Sequence, residues 1–293
     1  MRQNWIQKCF DSVLSSNVET EIIAIDNDSS DNSVEFIQKN YPQVKLVVAN
    51  ENLGFAKANN IGIKYALEQK ADYVFLLNQD AWIEKNTIEQ MITAFEQTQD
   101  AGIVSPIHLN GNKTNLDVNF THFVSRNNVP DFISDLYFDK LQTCYKTNFV
   151  NAACWLISRK CIEKVGGFDT SIFCHYGEDD NYCQRVIYHG FKIYIATATT
   201  MCHDREKRLD GTEEYRSAFW NDKNAMLNWK IKLGNINNEF NLNFKLKQIK
   251  REILKNLILF RFRRIMSLKD EITLMNNIQK SREINIKGGL VWL

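Results

Sequence analysis

The chain has 293 residues, of which 44% are hydrophobic and 12% aromatic, and its formal net charge is only +1. This length allows one large core, or one core with a small appendage, and so favours a catalytic domain with a tail. Because the net charge is close to zero, the protein as a whole has no strong positive electrostatic potential, and we therefore expect no nucleic-acid partner.

Three features of the sequence indicate the compartment. Residues 1–10 are polar and contain no apolar core, so they do not form a signal peptide. The apolar stretch 254–266 is interrupted by Lys, Asn and Arg, which argues against a membrane-spanning helix. The seven cysteines are scattered without a C-x-x-C pair and are expected to be reduced core thiols. We expect a soluble, cytoplasmic protein.

The first half of the chain alternates short β-branched runs with longer periodic segments, as in a parallel sheet flanked by helices. Helices are predicted at 5–15, 31–40, 55–69 and 85–97, and strands at 21–26, 45–49, 72–77 and 102–105. Residues 109–148 are interpreted as a polar stretch with mixed turn signals. Because the chain opens on a helix, a strand that would normally precede it is expected to be missing.

The second half completes the domain and then changes character. Strands are predicted at 149–158 and 192–196, and helices at 159–165 and 179–189. From about residue 217 the sequence becomes helical and rich in Lys, Arg and Asn. We therefore place a boundary near residue 210, between a domain at 1–210 and a helical C-terminal extension at 211–293.

Two turns near the start of the chain are candidate ligand sites. The segment 26–31 lies at the carboxyl end of a strand, where open α/β sheets bind ligands, and a carboxylate there can bind a ribose or a base. The segment 52–60 opens a helix after a glycine turn and offers backbone N–H groups to an anion. Simple helix-capping turns remain the alternative for both.

Asp80 and His203 are candidate metal ligands. Asp80 follows the strand 72–77 and should emerge at the same sheet edge as Asp26, where a hard divalent cation needs one or two carboxylates. His203 follows the strand 192–196, and its nitrogen would favour manganese over magnesium. The alternatives are a helix cap for Asp80 and a structural hydrogen bond for His203.

Three consecutive acids, Glu178, Asp179 and Asp180, open a predicted helix after the glycine-marked turn 166–169. Such a cluster can supply a general base that takes the proton from an acceptor hydroxyl. A solvated acidic helix start is the alternative.

In their order, these motifs resemble the inverting family 2 glycosyltransferases of GT-A fold, especially the rhamnosyltransferase-like members. The resemblance covers about residues 4–204 and rests on the segments WIQKCFDSVL, DNDSSD, NLGFA, NQD, GGFD and ED. It implies a GT-A, nucleotide-diphospho-sugar transferase fold: an α/β, Rossmann-like, mostly parallel sheet flanked by helices, with a C-terminal helical extension.

The resemblance also implies a role for each site residue. Asp179 would be the base, Glu178 would orient the acceptor or the base, and Asp80 and His203 would hold Mn²⁺ or Mg²⁺. The nucleotide would be bound by a larger set: Asp26, Asn27, Ser29, Asn52, Gly54, Phe55 and Asn78. The implied reaction moves a sugar, with inversion, from a nucleotide-diphosphate donor to a hydroxyl of a glycan or lipid-linked acceptor in surface polysaccharide synthesis.

Two departures from the family pattern leave another class of function open. Asn78 replaces the first acid of the family's D-x-D motif, and the family's opening strand has no counterpart before Arg2. The alternative is a catalytically silent nucleotide-binding or scaffold protein. An NAD-binding Rossmann enzyme is disfavoured because the glycine fingerprint is absent.

Residues 244–266 mix basic and apolar residues at helical spacing and contain one acid, Glu252. A basic amphipathic helix of this kind is typical of a peripheral membrane contact, here on the inner face of the membrane. A helix that packs its apolar face on the catalytic domain is an equal alternative.

Overall fold

The computed structural model describes residues 2–173, 176–204 and 226–293, and it confirms the α/β class. The predicted elements of the first half are present within a few residues of their expected bounds; only the short strand β4 was not predicted, and β5 is longer than predicted. In order they are α1 (Arg2–Leu14), β1 (Ile23–Asp26), α2 (Ser33–Asn40), β2 (Lys45–Val48), α3 (Gly54–Glu68), β3 (Tyr73–Leu77), β4 (Ala81–Ile83), α4 (Thr87–Gln97) and β5 (Ala101–Asn110).

The second half corrects three predictions. The stretch 109–148 is not irregular throughout, the strand predicted from residue 149 starts later, and the strand predicted to end at residue 196 continues to His203. The elements are α5 (Val118–Phe123), α6 (Phe132–Tyr137), β6 (Cys144–Thr147), β7 (Cys154–Ser158), α7 (Arg159–Val165), α8 (Glu178–Tyr188), β8 (Lys192–His203), α9 (226–234), α10 (Leu242–Ile258) and α11 (Phe262–Lys287).

The strands form two sheets in the described part of the chain. β1 and β2 pair in parallel as a two-stranded sheet, and the others follow the order β3-β7-β5-β8-β4, with β6 also on β8. β5 and β8 are parallel, whereas the other pairs of the larger sheet are antiparallel. The sheet is therefore mixed, and its register fixes which residues meet at each end.

The main core lies between the large sheet and the helices α7 and α8. Trp155 of β7 stacks on Phe168 at a centroid distance of 6.1 Å, and Phe168 lies 4.8 Å from Tyr182 of α8. All three side chains are fully buried, so α8 packs tightly against β7 of the large sheet. The described cysteines are free thiols, buried except for the half-buried Cys144, as expected; Cys174 lies outside the described residues.

The predicted boundary near residue 210 lies outside the described residues. Beyond it, α11 and the last residues pack on the turn 166–169: the Gly167 N–H donates to the Val291 carbonyl over 2.9 Å, and Asn285 donates to Asp169 over 3.0 Å. The helical extension therefore shares buried contacts with the α/β part of the chain.

The segment 244–266, predicted as one helix, is two helices joined by a tight turn. Phe260 adopts a φ of 52°, and the Arg261 N–H bonds back to the Asn256 carbonyl over 2.9 Å, which reverses the chain. The reversal lets apolar residues of α10 and α11 pack on each other. Among the helices of the described ranges, none has the length and apolar character to cross a membrane.

Candidate active site

The turns that follow β1 and β2 are joined to each other by side-chain hydrogen bonds. Asn27 donates to Asn52 Oδ1 over 3.1 Å and accepts from the Leu53 N–H over 2.6 Å. Asn52 Oδ1 also accepts from the N–H of Gly54, whose φ is 73°. Since β1 and β2 are parallel, both turns lie at the same sheet edge, and the two asparagines hold them together there.

Asp26 ends β1 at this edge and is 7% exposed. One of its carboxylate oxygens accepts from the Ser29 N–H over 3.2 Å, which closes the turn after the strand. The structure thus brings Asp26, Asn27, Ser29, Asn52 and Gly54 into one group, as the sequence predicts. Their mutual hydrogen bonds also give each of them a structural part in the turns.

Phe55 directly follows this group in the chain, and Asn78 directly follows β3. The Phe55 ring packs edge-on against Phe168 at a centroid distance of 5.6 Å, so one face of the ring belongs to the core. The main chain of Asn78 is fixed by its N–H bond to the Ala153 carbonyl and by the Cys9 thiol, which lies 3.6 Å from the Asn78 carbonyl. Helix α1, which carries Cys9, therefore connects the first turns to the end of β3.

Asp80 and His203 face each other at the end of the large sheet. His203 is the last residue of β8, where it lies opposite Ala81 of β4 and Asn110 of β5. That register sets the His203 Nε2 atom 3.5 Å from Asp80 Oδ1, and both side chains are almost completely buried. The family resemblance implied that both residues hold one metal, whereas the predicted strand ended at residue 196 and left His203 beyond it.

Asp117 is a residue of this site that sequence reasoning missed. Its Oδ2 atom lies 3.6 Å from His203 Nδ1, on the other side of the imidazole from Asp80. Its Oδ1 atom accepts from the N–H groups of Asn119 and Phe120 and so caps α5. An aspartate directly before an apolar helix is a recognisable cap signal, but the mixed turn signals of 109–148 predict no helix there.

Asp204 continues the same polar cluster. Its N–H donates to the Asp80 carbonyl over 3.0 Å, and its carboxylate accepts from the Trp5 indole over 3.0 Å. Gly111 permits this approach, because a Cβ atom at that position would lie 2.7 Å from the Asp204 carboxylate. The site is thus tied to α1 and to the end of β5 as well as to β8.

The acids of α8 form the third group of predicted site residues. Glu178 is 5% exposed, and its Oε2 atom makes no hydrogen bond. Burial raises the pKa of Glu178 to about 7, with a smaller contribution from Asp179, and burial beside both neighbours raises the pKa of Asp180 to about 7. Asp179 itself is half-buried. Desolvation therefore outweighs the stabilisation that a helix N-terminus offers to carboxylates.

The start of β7 connects the α8 acids to the Asp80 side of the molecule. Cys154 opens β7 opposite Leu77 at the end of β3, three residues before Asp80. The Cys183 thiol of α8 contacts the Val150 carbonyl, just ahead of that strand, over 3.8 Å. The middle of α8, at Cys183, and the end of β3 consequently flank the same short segment, 150–154.

A divalent cation fits the residues around His203. Both ring nitrogens are buried without a hydrogen bond, and each faces a carboxylate oxygen, which suits a borderline nitrogen ligand next to hard oxygen donors. No group of three or more His, Cys, Asp or Glu that could hold a metal by itself occurs in the ranges described. Phosphate oxygens of a bound nucleotide would therefore have to complete the coordination.

Comparison with known proteins agrees with this geometry. The family model described as Glycosyl transferase family 2 matches residues 1–166, more than half of the chain. The chain belongs to this family. The turns after β1 and β2 and the end of β3 all lie inside the matched residues.

Two curated relatives of this family 2 member are transferases by name. It is 26% identical to the dTDP-rhamnosyl transferase RfbF of Shigella flexneri over 163 residues, which is 55% of this chain and 52% of that protein. It is also 26% identical to the low-salt glycan biosynthesis hexosyltransferase Agl10 of Haloferax volcanii over 172 residues, or 56% and 52% of the two chains. The alignments thus span about half the length of these relatives.

Solved structures confirm the GT-A fold of the family 2 member. A mannosyltransferase from Pyrobaculum calidifontis in complex with GDP-Man and Mn²⁺ matches 95% of this chain and 70% of its own, with a TM-score of 0.52 at 12% identity. TarS of S. aureus in complex with UDP-GlcNAc matches 74% and 58% of the two chains, with a TM-score of 0.51 at 13% identity. At these identities the likeness concerns the fold alone.

Proposed function

We propose that this chain is an inverting glycosyltransferase that uses a metal-bound nucleoside-diphosphate sugar. The observation that carries the proposal is the buried His203 ring, which lies between Asp80 and Asp117 with both nitrogens free of hydrogen bonds. A fully buried imidazole without hydrogen bonds is costly, and a bound cation would supply the missing partner. When bound, Mn²⁺ or Mg²⁺ would neutralise charge on the departing diphosphate.

The chain's own residues would share the remaining work. Asp26, Asn27, Ser29, Asn52, Gly54, Phe55 and Asn78 would shape the nucleotide pocket, through the turns that the two asparagines join. Asp179, half-buried between the buried Glu178 and the half-buried Asp180, would take the proton from the acceptor hydroxyl. Because burial raises the pKa of Glu178 to about 7, about half of it would be protonated at pH 7, and this form would donate a hydrogen bond that orients the acceptor or Asp179.

The family and the relatives support the proposed classes of donor and acceptor. We propose a nucleotide-diphosphate sugar as donor and a hydroxyl of a glycan or lipid-linked glycan as acceptor, in surface polysaccharide synthesis. A rhamnosyl donor is favoured by the named activity of the Shigella relative. We propose a cytoplasmic protein, with no nucleic-acid partner, that contacts the inner face of the membrane through a part of the segment 244–266.

The proposal is tested by measuring release of nucleoside diphosphate from dTDP-rhamnose, UDP-N-acetylglucosamine and GDP-mannose, with and without Mn²⁺. We expect metal-dependent release from one donor, lowered about 10²- to 10⁴-fold in Asp179→Asn because the general base is lost. Asp270→Asn, on the exposed side of α11, is the matched control and should leave the rate unchanged.

Three results would contradict the proposal. Absence of metal-dependent release with every donor, or equal rates for Asp179→Asn and the parent chain, would overturn the proposal. Metal-dependent nucleotide binding by calorimetry without release would indicate the silent binding protein instead, the alternative that Asn78 favours.

A further inference from the structure

The hairpin of α10 and α11 has an interior of its own. Ile249, Leu268 and Met275 are buried in it, and further apolar side chains of both helices pack around them: Leu242, Leu246, Ile253 and Ile272. Apart from the exposed Phe244, the apolar residues of α10 up to residue 253 therefore pack inside the protein. This agrees with the packing alternative for the first part of the segment 244–266.

Beyond Ile253 the pattern changes, and large apolar side chains point outward. The exposed fraction is 78% for Phe260, 62% for Phe262 and 71% for Ile258. The same thirteen residues, 254–266, which we call the hairpin tip, expose four more: Leu254, Leu257, Leu259 and Met266. Contiguous exposed apolar surface of this kind marks an interaction site.

The hairpin tip has a defined shape. Asn256 is buried and donates to the Glu252 carbonyl over 2.8 Å, and the Arg264 guanidinium pairs with the Glu252 carboxylate over 2.8 Å across the turn. The rings of Phe260 and Phe262 lie 6.3 Å apart, on either side of Arg261. The exposed apolar residues are therefore presented together at one end of the hairpin.

The charge around the tip identifies the partner. Residues 244–266 contain eight Lys or Arg residues against one acid, a net charge of +7 in a chain whose total is only +1. The single acid, Glu252, is paired with Arg264, while Lys255, Arg261 and Arg263 are exposed among the apolar side chains. An apolar end ringed by cations is complementary to an anionic phospholipid surface, whose acyl chains accept aromatic residues and whose phosphates accept Arg and Lys.

We propose that the hairpin tip docks on an anionic phospholipid bilayer and inserts Phe260 and Phe262 at the headgroup boundary. The contact is made by the end of the hairpin and not by a helix lying flat along residues 244–266. The surface itself depends only on these contacts and charges, whereas its use in bringing the site to a lipid-linked acceptor rests on the proposed function.

Flotation of the full chain with phosphatidylcholine vesicles, with and without added phosphatidylglycerol, tests this proposal. We expect binding to the anionic vesicles only, weakened at least about tenfold in Phe260→Asn/Phe262→Ser because the inserted apolar area is lost. Asparagine is chosen at position 260 because it tolerates a positive φ. Phe244→Ser is the matched control: Phe244 is 61% exposed on α10 but lies outside the tip, so its loss should leave binding unchanged.

Circular dichroism checks that each variant is folded, and sedimentation of the lipid-free chain tests for self-association. Equal binding by the tip variant and the parent chain, or no binding by the parent chain, would overturn the proposal. So would a dimer that the tip variant abolishes in the absence of vesicle binding, because the tip would then cover a second copy. Nucleotide-sugar turnover without vesicles should be the same in the tip variant, so a failure here is separable from failure of the proposed function.

Discussion

Asp169 and Glu178 lie in neighbouring motifs, and both are buried, but their carboxylates differ in how completely they are hydrogen-bonded. Asp169 is fully buried and accepts hydrogen bonds from Ser171, Ser281 and Asn285. Glu178 is almost as buried, yet one of its oxygens has no hydrogen bond and burial raises its pKa to about 7. A satisfied acid stabilises the fold, whereas an unsatisfied one is held at a cost that function can explain.

The largest effect should follow from Asp169→Asn. The change removes the charged acceptor of two α11 side chains and the negative charge nearest to the buried Arg185 guanidinium. We expect a loss of about 3 kcal/mol in the free energy of unfolding, measured by urea denaturation. Asp270→Asn, an exposed acid of α11, should change it by less than about 0.5 kcal/mol. An equally small effect of Asp169→Asn would show that the two acids do not differ as described.

Glu178→Gln should act on stability with the opposite sign. The folded-state pKa is raised from 4.5 to about 7, so the folded chain binds more protons than the unfolded chain between these values, and stability falls as the pH rises through this window. A neutral glutamine avoids that loss. We expect the variant to be more stable by about 2 kcal/mol at pH 8 and equal near pH 4.5.

Urea denaturation at both pH values provides this measurement. Glu96→Gln, at an exposed position of α4, should follow the parent chain throughout. A Glu178→Gln variant that tracked the parent at pH 8 would mean that Glu178 is solvated in the folded protein.

The smallest expected effect concerns Asp117, whose carboxylate has both a structural role and a place in the candidate site. One oxygen caps α5, and the other faces His203. Asp117→Asn keeps a capping oxygen but removes the charge beside the imidazole, so we expect about tenfold weaker Mn²⁺ binding in the presence of nucleotide, by calorimetry, with little change in stability. Asp131→Asn, at the start of α6 where no side-chain cap forms, is the control. Unchanged Mn²⁺ affinity would restrict Asp117 to the cap.

The sequence predicted the elements that have strong periodicity or clear stops. Helix α7 was predicted with its observed bounds, since Ser158 caps it and Gly166 ends it. The order of motifs also predicted the family, and the resemblance implied that Asp80 and His203 serve one metal. These signals are local, or they lie in the order of short motifs along the chain.

What sequence reasoning missed depends on contacts between distant residues. Strand β6 has only four residues and exists because it pairs with β8. The turn at Phe260 is invisible in a helical pattern, because it is fixed by packing between α10 and α11. The role of Asp169 could not be predicted either, since its partners lie more than a hundred residues away in α11.

Gly166 and Gly167, which precede Asp169, make close contacts with the last residues of the chain. An added Cβ at Gly166, whose φ is +86°, would lie 2.3 Å from the Val291 carbonyl, and one at Gly167 would lie 2.6 Å from the Leu293 side chain. The two glycines thus form a socket for residues 291–293. A chimera that joins a foreign helical extension to residues 1–204 would need residues that fit this socket, so we expect that the two parts are not freely exchangeable.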